Sequence, residues 1–380
     1  MLRLLHTADV HLGARNEDLG DAAAALRERQ HAALRATVEL ALAERVDLVL
    51  IAGDLFDTNT ASRRSVELAV AELARLAAAR IRIVMVPGCH DADTRSSVYR
   101  AYDFPALVGE DMLTLLTPGA PWVRLDSLDA VVIGPVDPSR PSAGPFASQG
   151  GHEALAATWR IGILHAAVGE GEGRVAAAAI GASGMDFVAL GHDHRAATGK
   201  EGATTWAVPG SPEQVEADRD RPGTVNLVTL DEVSGVKAVS VATRKVGTSW
   251  HRDLAVDAAS VASQSELVDS LRADADPDLV LDVTLVGERS DELGLDGAAI
   301  SDTLRGAYLR VRVHDESRPP LTRGALPPPE TIAGAFIRNV ESRIAELEGG
   351  GGAPEANEAA ELREVLRLGR QLLSGTEVAS

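Results

Sequence analysis

Three short apolar runs lie in the first 90 residues: 2–5 (LRLL), 47–51 (DLVLI) and 81–88 (IRIVMVPG). Between them stand two longer stretches, 22–45 and 62–80, whose Leu and Val recur at helical spacing with Arg on the opposite side. A β-α-β-α-β order of this kind closes as a parallel or mixed sheet flanked by helices. Further short strands fit 130–133, 160–164, 186–190, 204–208, 224–230 and 236–246, so the chain reads as α/β. In open α/β sheets, ligands collect beyond the carboxyl ends of the strands. The residues at those ends are therefore the ones to read for chemistry.

The strand ends are ADVH, with Asp9 and His11; AGD, with Asp54; PGCHD, with Cys89, His90 and Asp91; ILHAA, with His165; and GHDH, with His192 and His194. Taken singly, each has an ordinary structural explanation. A histidine at a strand end is commonly just hydrogen-bonded, and Asp after Gly is a turn former. Five of the ten histidines falling immediately after apolar strands, interleaved with carboxylates, is a pattern that turn chemistry does not account for. Carboxylate and imidazole together suit Mn, Fe or Zn. One Asp set between two donor clusters can bridge two metals about 3.5–4 Å apart, the arrangement that drives in-line phosphoryl displacement. A histidine just outside the metals can protonate the leaving oxygen or stabilise the transition state. His6, also near a strand end, receives no role.

The order D-x-H, G-D, G-x-H-D, H and G-H-x-H resembles the calcineurin-like metallophosphoesterase superfamily over about residues 1–245. The resemblance implies a four-layer α/β/β/α sandwich. It also implies that Asp9, His11, Asp54 and His194 hold one metal, that Asp54 bridges, and that His165 and His192 hold the second. His90 would be the acid or transition-state residue, and Asp91 would orient it. Within the superfamily the chain is similar to SbcD-type DNA repair exonucleases, including the YhaO-like proteins. The similarity rests on LLHTADVHLG (4–13), ERVDLVLIAGDLFDT (44–58), ALGHDHR (189–195) and VPGSPEQ (208–214). That likeness implies two divalent ions, Mn²⁺ by expectation, hydrolysis of phosphodiesters at DNA ends, a homodimer, and an SMC-like coiled-coil ATPase partner of the SbcC/YhaN kind. A small-molecule phosphodiesterase or nucleotidase of the same superfamily is the competing enzyme reading; a DNA-end scaffold is the non-enzyme one.

At Cys89 the chain departs from the superfamily, which has Asn there. The lone cysteine of the chain thus stands at an expected ligand position. Sulfur matches Zn²⁺ or iron better than Mn²⁺. Three outcomes stay open: Cys89 ligates and shifts metal preference, it is a bystander beside a weak second metal, or catalysis is lost.

The resemblance implies a nuclease domain at 1–250, a small α+β capping domain at 251–318 that binds DNA and, after a Pro-rich linker at 319–329, partner-binding helices at 330–380. In 330–348, Ile332, Phe336, Ile337, Val340, Ile344 and Leu347 form one apolar stripe, and 358–373 is a second amphipathic helix. GGGGAPEAN (349–357) reads as flexible. A net charge of −19 counts against simple coating of DNA, although bound divalent ions invert the local charge of an acidic site. Arg95, Arg100, Arg195, Arg219, Arg221, Arg305, Arg310 and Arg312 are the candidate phosphate contacts, with Arg95 and Arg195 expected in the groove. Tyr99, Tyr102 and Phe104 form either a small stacking surface or a packed helix. A single cysteine and the lack of an apolar run of about 20 residues point to a cytoplasmic protein without a membrane span, and the nuclease resemblance implies association with the nucleoid.

Overall fold

The structure, a computed structural model, describes residues 1–15, 22–134, 146, 157–171, 173–213, 223–290, 293–318, 327–328, 330–350 and 353–373. Gln214, Arg219, Arg221 and all of the expected linker except residues 327 and 328 lie outside the described residues. The elements begin β1 (Leu2–Thr7), α1 (Ala23–Glu44), β2 (Leu48–Ala52), α2 (Arg63–Ala78) and β3 (Arg82–Val86). Then follow α3 (Val98–Ala101), α4 (Phe104–Val108), β4 (Leu113–Leu115), β5 (Trp122–Leu125), β6 (Ala130–Ile133) and β7 (Trp159–Leu164). A two-residue ladder, β8 (Ala167–Val168) with β9 (Arg174–Val175), precedes α5 (Ala177–Ala182), β10 (Phe187–Leu190), β11 (Ala197–Glu201), β12 (Thr204–Val208), β13 (Thr224–Val233) and β14 (Val236–Lys245).

Two six-stranded sheets result, in the orders β14-β13-β1-β2-β3-β4 and β11-β12-β10-β7-β6-β5. β1 to β4 pair in parallel, as do β6, β7, β10 and β12; antiparallel neighbours close the remaining edges. The central strands read as unbroken apolar runs because both of their faces are covered. Leu4, Leu48, Leu50, Val84 and Val86 pack between the sheets against Val132, Ile161, Ile163 and Phe187. The alternate residues Leu5, Val49, Ile51, Ile83 and Met85 turn to Leu34 and Val38 of α1 and to Val66, Ala69 and Leu73 of α2. On the far side, Val131, Leu164, Val188 and Leu190 pack on Ile180 of α5. This is the expected α/β/β/α sandwich. Among the described residues its fourth layer is the six-residue α5, shorter than α1 and α2.

His6 is part of this core. It is fully buried, its Nε2 donates to the Leu190 carbonyl at 3.0 Å, and burial lowers its pKa to about 3. It thus stays neutral and ties β1 of one sheet to β10 of the other.

Beyond residue 245 lie β15 (Trp250–Asp257), α6 (Gln264–Ala273), β16 (Leu279–Val286), α7 (Gly297–Thr303), β17 (Arg310–Asp315), α8 (Ile332–Gly350) and α9 (Ala353–Leu373). The strands form a sheet in the order β15-β16-β17. The chain divides into two compact units, and the division interleaves. One holds Met1–Leu254, Val268–Thr284 and Gly297–His314; the other holds Ala255–Leu267, Leu285–Asp296 and Asp315–Ser380. Residues 268–284 and 297–314, grouped by sequence with 251–318, therefore cluster with the sandwich. One reason is Arg29 of α1, which donates to Asp278 at 2.6 Å and to the Pro277 carbonyl at 2.8 Å.

In the second unit, α8 and α9 pair along the predicted stripe: Ile337, Ile344 and Leu366 are buried, with Phe336, Val340 and Leu362 around them. Arg343–Glu358, Arg363–Glu348 and Arg370–Glu341 ion pairs flank the seam. The 349–357 segment expected to be flexible is instead mostly helical. α8 runs to Gly350 and α9 starts at Ala353, where Pro354 suits a first turn because its missing N–H has no intrahelical partner there. Among the described residues, no helix is long and apolar enough to cross a membrane.

Candidate metal centre

The polypeptide leaving β1 and β2 does not separate at the sheet edge. It continues as a backbone ladder in which Asp9 N–H donates to the Gly53 carbonyl (3.1 Å), His11 to Asp54 (3.0 Å), Leu12 to Leu55 (3.0 Å) and Asp57 to Leu12 (3.2 Å). To hold this ladder, Asp9 (φ 54°), His11 (φ 51°) and Asp54 (φ 51°) adopt the left-handed region, as does His192 (φ 75°) after β10. Non-glycine residues there carry a steric cost, and such residues cluster where the surroundings over-determine them. Two glycines let other atoms approach. A Cβ on Gly53 would stand 2.3 Å from His165 Nδ1, and one on Gly88 would stand 2.1 Å from Asp54 Oδ1.

The ladder and the ends of β3, β7 and β10 bring two donor groups together. Asp9, His11 and His194 form one, with Asp9 Oδ1 3.9 Å from His194 Nε2. Cys89, His165 and His192 form the other, with Sγ 3.5 Å from His165 Nε2 and 3.7 Å from His192 Nδ1. Asp54 touches both. Its Oδ2 lies 3.9 Å from His11 Nε2, 3.1 Å from His165 Nε2 and 3.4 Å from Cys89 Sγ, while Oδ1 accepts the His90 N–H at 2.8 Å.

Each imidazole is held by its other nitrogen or by its backbone. His165 Nδ1 donates to the Ala52 carbonyl at 2.9 Å, which turns Nε2 to the cluster. His11 Nδ1 meets Asp57 Oδ1 at 3.2 Å. Its Nε2 is buried and has no hydrogen-bond partner among the described residues. His192 N–H donates to both oxygens of Asp9, at 3.0 and 3.1 Å. Fixing one ring nitrogen so that the other faces a cation is the usual second role of residues around a metal.

Charge follows the same plan. Asp9 and Asp54 are 0% and 1% exposed, and their ionic partners among the described residues are all histidines. Burial pushes the Asp9 carboxyl well up, and the nearby Asp54 adds to this against the pull of His165. Burial acts on Asp54 in the same direction, but the His165 hydrogen bond and charge, with His11, outweigh it and hold Asp54 well below the usual carboxylate range. Burial would lower His165; its hydrogen bonds with the accepting Asp54 carboxylate and with Cys89, and the charge of Asp9, overcome it and raise the pKa to about 11. Two buried carboxylates thus stand among histidines and one thiol, a donor set that suits a divalent cation.

All seven of the expected ligand positions, Asp9, His11, Asp54, Cys89, His165, His192 and His194, are thus brought together. His90 stands beside them, half exposed, with its ring 4.7 Å from that of His11. Asp91 departs from expectation. Among the described residues it makes no hydrogen bond with the His90 imidazole. It is buried, and accepts from Gly88 N–H (2.7 Å), Phe56 N–H (3.1 Å) and Tyr99 Oη (2.5 Å). Burial nevertheless pushes its pKa up, against those three donors. Asp91 shapes the loop; the His90 ring is met by Asp57, whose carbonyl accepts from Nδ1 at 3.0 Å. Asp57, unassigned from sequence, therefore contacts both His11 and His90. Its signal was its position three residues after Asp54 in the same loop.

The candidate phosphate contacts separate. Arg95 is exposed and makes no ion pair among the described residues. Arg195 is exposed but lies 3.5 Å from Asp193, and Arg100 pairs with Asp93 at 2.7 Å. Arg310 and Arg312 both reach Asp282, at 3.2 and 3.0 Å, and Arg305 reaches Asp302 at 2.6 Å. Those three arginines are engaged within the fold. Tyr99 and Phe104 are buried and stack with Phe56, so they belong to the core and offer no platform for bases.

The sequence profile of the family described as calcineurin-like phosphoesterase matches residues 2–196, just over half of the chain. The chain belongs to that family. Every expected ligand of the centre lies inside the matched span. Three curated relatives of this phosphoesterase are named for DNA repair or nuclease action. The DNA double-strand break repair protein Mre11 of Saccharolobus solfataricus is 32% identical over 96 residues, 25% of this chain and 24% of that protein. The protein of the same name from Aeropyrum pernix is 42% identical over 91 residues, 24% and 21% of the two chains. The SbcD component of the SbcCD nuclease of Rhodobacter capsulatus is 39% identical over 97 residues, 25% and 22%. The chain thus aligns with about a quarter of the length of each.

Calcineurin-like phosphoesterases work with a dinuclear divalent-metal centre, and the residues present fit one. Donor atoms converge in two groups joined by a carboxylate. The buried His11 Nε2, without a hydrogen-bond partner among the described residues, is the atom such an ion would satisfy.

Proposed function

We propose that this phosphoesterase is a DNA nuclease that hydrolyses phosphodiester bonds at DNA ends, in DNA repair, together with an SMC-like coiled-coil ATPase. The observation that carries the hydrolytic part is Asp54: one carboxylate shared by two donor groups built on five different strand ends. The choice of DNA is supported by the names of the curated relatives.

In this reading Asp9, His11, His194 and Asp54 hold one ion, and His165, His192 and Asp54 the other, with Cys89 facing the second. When bound, two divalent ions supply Lewis-acid stabilisation of the phosphoryl oxygens and an activated water. Asp54 holds the two positions at a fixed spacing. His90 acts as the proton donor. With Nδ1 engaged on the Asp57 carbonyl, the imidazolium keeps Nε2–H for the departing oxygen. Asp91 fixes the loop that presents His90. Arg95 and Arg195 meet the DNA backbone. Residues 251–318 cap the DNA, and the α8–α9 pair serves the ATPase. Because its apolar seam is already filled, that pair offers its outer faces. The protein works as a homodimer in the cytoplasm.

The test is hydrolysis of linear double-stranded DNA and of a chromogenic phosphodiester with Mn²⁺, alongside His90→Ala. Degradation of DNA from its ends, reduced about 100-fold or more in His90→Ala, is expected. Hydrolysis of the chromogenic ester with no action on DNA would overturn the nuclease assignment and leave a small-molecule phosphodiesterase.

A further inference from the structure

We infer that the two metal positions are chemically unlike, and that the second is a thiolate site of Cys89, His165, His192 and Asp54 that selects zinc or ferrous iron over manganese. The inference rests on the two-metal reading above and deepens it.

Distances carry it. For bonds of about 2.3 Å to sulfur and about 2.0–2.1 Å to nitrogen or oxygen, tetrahedral angles set donor–donor edges of roughly 3.3–3.6 Å. Cys89 Sγ lies 3.4 Å from Asp54 Oδ2, 3.5 Å from His165 Nε2 and 3.7 Å from His192 Nδ1. His165 Nε2 lies 3.1 Å from Asp54 Oδ2. Four of the six separations among one sulfur, two nitrogens and one oxygen thus lie near tetrahedral edge lengths, including all three that reach the sulfur. The sulfur is therefore within ligand reach of the same point as the imidazoles. A bystander thiol has no reason to sit almost equally far from all three.

The rest of the cluster agrees. His165 Nδ1 is occupied by the Ala52 carbonyl, so the ring offers the cluster only Nε2. The other position contains no sulfur, and the buried His11 Nε2, without a hydrogen-bond partner among the described residues, faces it with Asp9 and His194. Its donors are oxygen and nitrogen alone, a set that takes Mn²⁺ or Fe²⁺. Thiolate with imidazole favours Zn²⁺ or iron. The shared Asp54 then joins a hard position to a soft one. In the metal-bound state the thiol proton is released to solvent.

The test uses the full-length chain, stripped of metal and loaded with Co²⁺. A thiolate-to-cobalt charge-transfer band in the near ultraviolet, with the intense visible bands of a tetrahedral ion, is expected for the wild type. Cys89→Asn should lack the ultraviolet band. Zn²⁺ titrated in competition with a chromogenic chelator should fill one position of the wild-type chain well before the other. Cys89→Asn should hold zinc about tenfold or more weakly, in line with loss of a ligand. Two cobalt ions bound by the wild type without a thiolate band would overturn this inference and leave the two-metal reading standing; because that result needs no variant, it does not depend on how Cys89→Asn folds. Zinc affinity unchanged in a folded Cys89→Asn would overturn it as well. A wild type that binds no ion would overturn both.

Discussion

Four backbones held in the left-handed region, at Asp9, His11, Asp54 and His192, place strain where the donors converge. Strain of this sort costs about 1–3 kcal/mol per residue and is maintained by the surrounding structure. His192 is the exposed member, so His192→Gly removes strain while losing little packing. The metal-free variant should melt about 2–4 °C higher than the metal-free wild type, with one metal position lost; a lower melting temperature would show that the backbone there is not strained. Asp57 tests positioning. Its carboxylate fixes His11 and its carbonyl fixes His90. Asp57→Ala removes only the first contact, so metal affinity measured by titration should fall about 10–100-fold, while His90 keeps its backbone anchor. Only its place three residues after Asp54 marks Asp57 in the sequence, and its role stays unread there because its partners come from two other loops. Asp9, His11, Asp54, His165, His192 and His194 were legible because each follows an apolar strand directly. Asp91 misled in its role, since its true partners, two backbone amides and a tyrosine, leave no mark in the motif.

At the scale of elements, the long helices and the central strands were readable within a few residues, because burial on both faces of a parallel strand leaves an unbroken apolar run. β4, β5 and β11 were not. They are three to five residues long, and β11 (ATGKE) is largely exposed, so it carries no apolar alternation. The α8–α9 seam shows that an amphipathic stripe names a buried face without naming what covers it. Ile344→Asp should separate the pair, seen as faster proteolysis within 330–373, while metal binding stays at the wild-type level. Asp282 is the charge centre of its region: burial alone would raise its pKa, but Arg312, Arg310 and His251 outweigh it and hold it down. A carboxylate held down contributes stability that is present above its unfolded pKa and is lost as pH falls through the lower folded value. Asp282→Asn should therefore destabilise the protein near neutral pH, and the difference from wild type should shrink progressively below about pH 4. A difference that stays constant into acid would contradict the charge argument.

For the whole molecule, a net charge of −19 and two buried carboxylates at the centre point the same way. In the proposed function the centre binds cations first and faces a phosphate only after binding them. On the same proposal, binding of DNA should then depend only shallowly on salt, because few basic side chains reach the backbone. Arg95→Glu should weaken it and reduce the slope of log affinity against log salt by about 1 or more. In the proposed function two ions, joined by Asp54, make one hydrolytic site. The measurement that tests it most directly is phosphodiester hydrolysis against equivalents of metal per chain, for the wild type and Asp54→Asn. Activity should appear only as the second equivalent is added, and Asp54→Asn should stay inactive at any ratio. Full activity at one equivalent, or hydrolysis that survives Asp54→Asn, would contradict the account.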